Sequence, residues 1–337
     1  MNEKLIALTD AIAQDRSDLR MKMLWEFDSN ATATMSSYLY AAAGKRADVE
    51  KYVECKKILK KSVSIFSEFR GVAFTLVVTK MALSKDPQEY IDGALQVYKK
   101  LRDVHKFTAS PYMVMAALII YENGGVEKAD ENIEKLEELY KKMKKEHPLL
   151  IGDSDRGFLA MLVTSGLNND AIVEETEKCY EATKKVALSK DAVHSLSQIL
   201  AIVPKPTDEK AEEVKALIKG FKAAKIPVSK EYGLGAVGAL TMLDMSVEDI
   251  VAMTAEVDAY LKKKKGFKWY SISARMRHMY AQMIVAIGCL TDSANVSSTV
   301  IANAITNVII EEIIMMIIVT QAATSAASSS SSGSSAS

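Results

Sequence analysis

Hydrophobic residues follow two alternating patterns along this chain. In the longer pattern, apolar residues recur every three or four positions, as they do at Ile133, Leu136, Tyr140 and Met143. This spacing predicts a helix with one buried face. The shorter pattern is apolar on every side and predicts a helix that other parts of the protein enclose. The short apolar segments cover residues 72–78, 113–120, 158–163, 196–203 and 234–243.

An aromatic residue near the end of each long segment marks a repeat. These residues are separated by 42, 40, 41 and 39 positions, and they are Tyr98, Tyr140, Tyr180, Phe221 and Tyr260. A fixed period in this range is typical of stacked helical hairpins. We therefore predict an all-α fold in which hairpin repeats of about 40 residues stack as an α-solenoid or superhelix. The pattern leaves open whether the array closes into a ring.

One segment favours a different architecture. Residues 74–79 have high β-propensity, and strands that alternate with helices would predict a parallel sheet. The equivalent segments 113–118 and 158–162 are instead rich in Met, Ala and Leu, which are strong helix formers. The all-helical interpretation therefore remains the prediction.

The hydrophobic pattern divides the chain into three parts. Residues 1–67 predict an N-terminal helical lead-in, and residues 68–320 contain the hairpin repeats and finish in the strongly apolar segment 298–320. Glu311 and Glu312 interrupt that segment, so we predict a terminal helix packed on the last hairpin rather than a membrane span. The Ala- and Ser-rich residues 321–337 predict a disordered tail.

Charge argues against a nucleic-acid partner. Lys and Arg together number 43, as do Asp and Glu, so the formal net charge is zero. A nucleic-acid-binding protein usually carries a basic excess. The lysine clusters at 141–145 and 262–265 fall at predicted helix C-termini, where cations offset the negative end of the helix dipole. We therefore expect no nucleic-acid partner.

Cysteine usage and the first residues indicate an intracellular protein. Cys55, Cys179 and Cys289 are scattered, and no CxxC spacing is present. An odd, scattered count argues against a disulfide scaffold. Charged residues interrupt positions 1–10 before a signal-peptide core can form. We expect a cytoplasmic location.

Several segments of this chain, in the same order along the sequence, resemble a bacterial family known as "domain of unknown function 4003". In chain order, they are 66–71, 143–147, 196–198, 225–226, 230–232, 264–267 and 271–272. The resemblance extends to about residue 290 and implies no activity, cofactor or partner. Relatives tend to have two adjacent acidic residues after the histidine of 143–147, whereas this chain has Asp153 and Asp155 separated by a serine. This departure weakens the case for a metal site built on that pair.

The four histidines are His105, His147, His194 and His278. His105 and His147 each follow their repeat's tyrosine by seven residues, which favours an equivalent structural role such as closing a helix C-terminus. A second hypothesis uses His147 with Asp153 and Asp155, since one imidazole and two carboxylates could hold a divalent cation. No metal-binding spacing supports it, so the metal stays undetermined and we predict no cofactor.

Four arginines fall near the starts of the short apolar helices, and they are Arg70, Arg156, Arg275 and Arg277. They could line one edge of the array and meet an anionic ligand, or they could pair with acids of the preceding unit. We favour internal pairing, because packed arrays satisfy such charges within the protein. As candidate ligand-binding residues, the sequence indicates Arg70, His147, Asp155 and Arg275.

Two hypotheses for function remain. No phosphate-binding loop, nucleophile elbow or cysteine with a neighbouring histidine is present, so we predict no catalytic residue. The first hypothesis is therefore a non-catalytic protein that binds a peptide or protein partner in a groove between stacked hairpins. The alternative is an enzyme, or a protein that binds a small ligand or metal, with a polar pocket around His147 and Asp155. The sequence leaves the oligomeric state open.

Overall fold

The computed structural model describes residues 1–23, 29–104, 110–187, 189–229, 233–290, 306–308 and 310. All regular secondary structure within these ranges is helical, so the all-α prediction is confirmed. Residues 74–79 lie inside a helix, and the strand alternative is therefore wrong.

The odd-numbered helices have one buried and one exposed face, and we call them the outer helices. They are α1 (Glu3–Lys22), α3 (Val49–Ser62), α5 (Pro87–Val104), α7 (Ala129–Glu146), α9 (Asn169–Thr183), α11 (Thr207–Ala223) and α13 (Val247–Leu261). The even-numbered helices are buried on nearly all sides, and we call them the inner helices. They are α2 (Ser29–Ala42), α4 (Phe74–Leu83), α6 (Pro111–Glu122), α8 (Arg156–Val163), α10 (Lys190–Ala201), α12 (Leu234–Leu240) and α14 (Ala274–Leu290).

Local capping groups determine where helices of both kinds begin. The hydroxyl of Ser110 accepts the N–H of Met113 at the start of α6, over 3.2 Å. The carboxylate of Asp86 accepts the N–H of Glu89 over 3.0 Å at the start of α5. Such caps satisfy the N–H groups that have no partner within the helix. The boundaries between outer and inner helices are therefore encoded in short stretches of sequence.

Each helix packs on at least one chain neighbour and on at least one helix two positions away in the chain. Consecutive outer helices contact each other from α1 to α13. Consecutive inner helices contact each other from α6 to α14, and α2 contacts α4. Both α13 and α14 contact α1, and α14 contacts α2, so the first and last hairpins meet.

The outer helices run in one direction and the inner helices in the other. Between α7 and α9, the early Asn169 donates to the carbonyl oxygen of Lys135 over 3.0 Å, and the later Glu177 lies 2.8 Å from His147. Successive residues of α9 therefore meet successive residues of α7 in the same order, with an offset, as parallel helices require. Short connections then reverse the chain within each hairpin. We call the end where the outer helices finish the C-terminal rim, and the opposite end the N-terminal rim.

Polar contacts join the first and last hairpins. The hydroxyl of Tyr38 in α2 donates to the carbonyl oxygen of Tyr280 in α14 over 2.9 Å. The hydroxyl of Tyr260 in α13 donates to Asp10 in α1 over 3.1 Å. The first of these hydrogen bonds is buried and costly to leave unmade, so it holds the first and last hairpins in a defined register.

Gly266 provides a test of this junction, and we expect Gly266→Ala to destabilise the protein. Its φ is +89°, and an added Cβ would lie 1.8 Å from the guanidinium of Arg16. Arg16 is buried, donates to Thr34 over 3.0 Å and lies over the Phe267 ring, so it has little freedom to move. The left-handed backbone alone costs Ala about 1–2 kcal/mol, and displacing Arg16 adds to that cost.

Gly166 supplies the matched control for this prediction. Its φ is +85°, but an added Cβ would meet nothing within 4 Å. Urea unfolding should therefore show a smaller loss for Gly166→Ala than for Gly266→Ala. Equal losses would mean that the contact with Arg16 contributes nothing beyond backbone strain.

The five aromatic residues that marked the repeat lie in corresponding but not identical places. Tyr98, Tyr140 and Tyr180 are each the twelfth residue of their outer helix. Phe221 and Tyr260 are the fifteenth and fourteenth residues of theirs. The neighbouring groups also differ, because Tyr98 packs on an aromatic ring whereas Tyr140 lies under a guanidinium. The hairpin repeat therefore stays an interpretation of this alternation.

The apolar segment near the end of the chain is described only at 306–308 and 310, where it is helical. Val308 and Ile310 are buried, and Asn307 and Ile310 lie beside α4 and α6. None of the helices in the described ranges is both long and apolar enough to cross a membrane. The predicted tail, 321–337, lies outside the described residues.

Candidate functional site

The connection between α7 and α8 positions both His147 and Asp155. His147 closes α7, and its backbone N–H donates to the carbonyl oxygen of Met143 over 2.8 Å. The chain then forms a short 3-10 helix, Asp153–Asp155, which leads directly into α8. The prediction that His147 closes a helix C-terminus is confirmed, and His105 lies outside the described residues.

The imidazole of His147 packs between three side chains of neighbouring helices. Its Nε2 lies 2.8 Å from Glu177 in α9. Its ring centre lies 5.1 Å from that of Tyr180 and 5.5 Å from that of His194 in α10. His147 therefore forms a cover over His194, and it remains partly exposed at the C-terminal rim.

Asp155 is buried and hydrogen-bonded on both carboxylate oxygens. Oδ2 accepts the backbone N–H of Gly152 over 2.9 Å, and Oδ1 accepts Nε2 of Gln198 over 3.2 Å. Oδ1 also lies 3.8 Å from Nδ1 of His194. Burial raises the pKa of Asp155 to about 6, because desolvation disfavours the ionised carboxylate more than the two hydrogen bonds favour it.

His194 and Gln198, which the sequence did not single out as site residues, connect the two candidates. The amide nitrogen of Gln198 lies 3.1 Å from Nδ1 of His194 and donates to Asp155, so it bridges the imidazole and the carboxylate. Nδ1 then acts as the acceptor, which places the imidazole proton on Nε2. Burial lowers the pKa of His194 to about 4, and His147 contributes to the same shift. His194 is therefore neutral at pH 7.

Two buried polar atoms of this cluster have no hydrogen-bond partner. They are Nε2 of His194 and Oε1 of Gln198. The first is a donor and the second an acceptor, and both residues are at most 1% exposed. Unpaired buried polar groups are uncommon and costly, so this pair calls for an explanation.

Arg156 forms a second buried charge network next to this cluster. Its Nε lies 3.1 Å from Asp153, and its Nη1 lies 3.6 Å from Glu137 of α7. Its guanidinium carbon lies 4.9 Å from the centre of the Tyr140 ring. Burial raises the pKa of Glu137, and Arg156 opposes that shift. Arg156 thus pairs with an acid of the preceding outer helix, as predicted.

The other candidate arginines lie apart from the cluster. Arg70 is partly buried in the 3-10 helix before α4, and Arg275 is exposed at the start of α14. These are different connections from that of His147 and Asp155. Arg277, like Arg156, pairs with the preceding outer helix, where its Nε lies 2.8 Å from Asp258. The structure therefore brings together two of the four candidate ligand-binding residues.

The hypothesised cation site does not form. Asp153 faces Arg156, whereas Asp155 accepts from Gln198 and His147 faces Glu177. Across the described ranges, no group of three or more His, Cys, Asp or Glu residues is arranged to hold a metal ion. Although these residues are close in the sequence, their ligand atoms do not converge on one point.

A groove lies between α4 and α6, away from this cluster. The empty space between its walls, counted out to open solvent, is about 200 Å³. Apolar residues of both helices line it, together with two residues of the C-terminal segment, and they are Leu76, Met115, Leu118, Ile119, Asn307 and Ile310. At its edge, Lys80 Nζ lies 2.8 Å from Glu122, which also accepts the hydroxyl of Tyr90 over 2.7 Å. The groove thus combines an apolar floor with a charged pair.

Comparison with known proteins gives one match. No curated protein and no solved structure matches this chain. A family described as "Protein of unknown function (DUF4003)" has a sequence model that matches residues 17–314, which is most of the chain. This chain therefore belongs to the DUF4003 family.

Proposed function

We propose that this protein is a non-catalytic binding protein that holds a segment of a peptide or protein partner in the groove between α4 and α6. In this proposal the hairpins are repeats of one unit and form a closed ring. The alternation of outer and inner helices supports the repeat, and the contacts between first and last hairpins support the ring. An open solenoid would keep its terminal hairpins apart.

The shape of the groove is the reason for proposing a peptide or protein segment as its occupant. Most of its empty space is open to solvent rather than enclosed, so the groove is too shallow to bury a whole small molecule as a typical small-molecule site does. It suits one apolar side chain that belongs to a larger partner. The Lys80–Glu122 pair at its edge offers a donor and an acceptor to the backbone beside that side chain. Short apolar anchors flanked by backbone hydrogen bonds are a common mode of peptide recognition.

Selection from a random peptide-display library tests this proposal. We expect the selected peptides to share one large apolar residue at a fixed position. Ile119→Trp, which fills the groove, should weaken their binding at least about tenfold. Leu167→Trp is the control, because Leu167 lies on the distant connection after α8 and is already exposed.

Thermal unfolding of both variants separates loss of the groove from loss of the fold. If Ile119→Trp is folded and binds the selected peptides as well as the wild type does, the groove is not the peptide site. A selection that yields no shared apolar position would also contradict the proposal.

The unpaired atoms of His194 and Gln198 favour a second candidate function, the binding of a small polar molecule. A donor and an acceptor in one cluster match a ligand group that both accepts and donates, such as a primary amide. His147 covers this position and would have to move aside. A thermal-shift screen of small amides and carboxylic acids tests it. Stabilisation that disappears in Gln198→Leu supports the candidate, and stabilisation that persists there excludes this site.

The cytoplasm is the location we propose, on the evidence of the thiols. Cys55 and Cys179 are buried, and neither forms a disulfide. Free thiols persist most readily in a reducing compartment. Burial also raises the pKa of Cys55 to about 11, which keeps this thiol protonated and unreactive.

A further inference from the structure

Large apolar side chains are exposed at several connections on the C-terminal rim. Phe66 is 90% exposed in the connection after α3, Leu149 is 97% exposed after α7, and Trp269 is 82% exposed after α13. Ile65 and Tyr270 extend the first and last of these positions. Single exposed apolar residues are ordinary, but a set that shares one end of the molecule indicates an interaction surface.

The same rim is strongly basic although the chain has no net charge. Its described connections, with the adjoining helix ends, carry 14 Lys or Arg against 4 Asp or Glu over residues 60–73, 144–155, 184–187, 222–229 and 262–273. The N-terminal rim carries 5 against 13 over residues 43–50, 84–89, 123–131, 164–170, 202–209 and 244–249. Helix dipoles favour bases at helix C-termini, and because the outer helices are parallel, these preferences add up on one face.

The exposed apolar residues and the lysines lie together. Trp269 and Tyr270 pack edge to face, with ring centres 5.8 Å apart, directly after a run of lysines. Lys263, Lys265 and Lys268 in this connection are exposed. Aromatic rings combined with lysines are typical of surfaces that enter the interface between lipid headgroups and acyl chains.

We propose that the C-terminal rim docks on an anionic membrane surface. The apolar residues follow α3, α7 and α13, which are not neighbours in the order of helix contacts, so they are distributed around the rim. Residues distributed over one whole end of the molecule suit an extended surface such as a bilayer better than a narrow peptide site. The lysines between them attract anionic headgroups. The proposal is independent of the peptide groove, whose lining residues lie within α4, α6 and the C-terminal segment and not in the connections of the C-terminal rim.

Co-sedimentation of the full chain with vesicles tests the proposal. The probes are vesicles of phosphatidylcholine alone and vesicles that contain about one third phosphatidylserine. We expect binding to the anionic vesicles that is at least about tenfold stronger than to neutral ones and that weakens at high salt. A variant with Phe66→Ser, Leu149→Ser and Trp269→Ser should lose at least about tenfold of that binding.

Leu167→Ser is the matched control, since Leu167 is exposed on the N-terminal rim, and it should bind as the wild type does. Because all four substituted residues are exposed, the fold should persist, which circular dichroism checks. The absence of wild-type binding to anionic vesicles would overturn the proposal, as would equal binding by the triple variant. Retention on immobilised polyglutamate without vesicle binding would overturn it in favour of an acidic protein partner.

Discussion

Replacing Arg156 by Met is expected to lower the free energy of unfolding by about 3–5 kcal/mol. The Arg156 side chain is 1% exposed, and it lies between Glu137, Asp153 and the ring of Tyr140. Met has a similar length and fills much of the space, so the loss reports mainly on charge. Without the guanidinium, the buried carboxyl of Glu137 loses the cation that most favours its ionised form, and removing one partner of a buried ion pair is strongly destabilising.

Two further variants show whether charge explains the loss. Arg275→Met is the control, because Arg275 is exposed, and it should change stability by no more than about 0.5 kcal/mol. Adding Glu137→Leu to Arg156→Met should recover a large part of the lost stability, since it removes the stranded carboxyl. Urea unfolding at neutral pH measures all of these values. A loss below about 1 kcal/mol in Arg156→Met would mean that water reaches the network and screens it.

The positions of the helices could be predicted from the sequence because local patterns encode them. The apolar run 113–120 became the core of α6, and all of these residues are buried. The tyrosine period anticipated the equivalent places of Tyr98, Tyr140 and Tyr180 in their helices. Hydrophobic periodicity reports which face of a helix is buried, and this information is local.

The junction between the first and last hairpins could not be predicted from the sequence in the same way. It depends on contacts such as that between Tyr38 and Tyr280, which are 242 residues apart. Taken alone, the sequence around each of these residues is that of an ordinary buried tyrosine in a helix. Whether stacked hairpins close depends on small angles between neighbouring helices, and no pattern in the chain displays those angles.

The candidate site was predicted in part. His147 and Asp155 lie in one connection, so the sequence could place them near each other. His194 and Gln198 come from α10, and only the tertiary packing of α7, α9 and α10 brings them to that connection. A signal was present, because His194 and Gln198 are four positions apart and therefore face the same side of their helix. A lone histidine in such a helix is nevertheless most often structural.

The net charge of the whole chain also does not show how charge is distributed between the two rims of the fold. A value of zero argued against nucleic-acid binding, yet the two rims carry opposite excesses. The separation follows from the parallel arrangement of the outer helices, which only the structure reveals. Sequence clusters such as 262–265 are solvated helix ends individually, and they become one basic face when the helices align.

The buried pair of Asp155 and His194 makes a prediction about pH. The folded-state pKa of Asp155 is raised to about 6, so acidification from pH 6 to pH 4 should stabilise the fold through this group. The folded-state pKa of His194 is lowered to about 4, so acidification from pH 6.5 to pH 4 should destabilise the fold through this one. Each shift corresponds to roughly 3 kcal/mol, and the two contributions nearly cancel in the wild type.

Single substitutions should expose the two opposite contributions. Asp155→Asn leaves the His194 contribution alone, so its unfolding free energy should fall by about 3 kcal/mol more than that of the wild type between pH 6.5 and pH 4. His194→Phe leaves the Asp155 contribution alone, so its stability should rise relative to the wild type over the same interval. Urea unfolding across this range measures both, and the double variant is the control, because its pH dependence should again parallel that of the wild type. If both single variants followed the wild-type profile, neither group could be buried as the structure places it, since a solvated carboxyl and a solvated imidazole would titrate alike in the folded and unfolded chains.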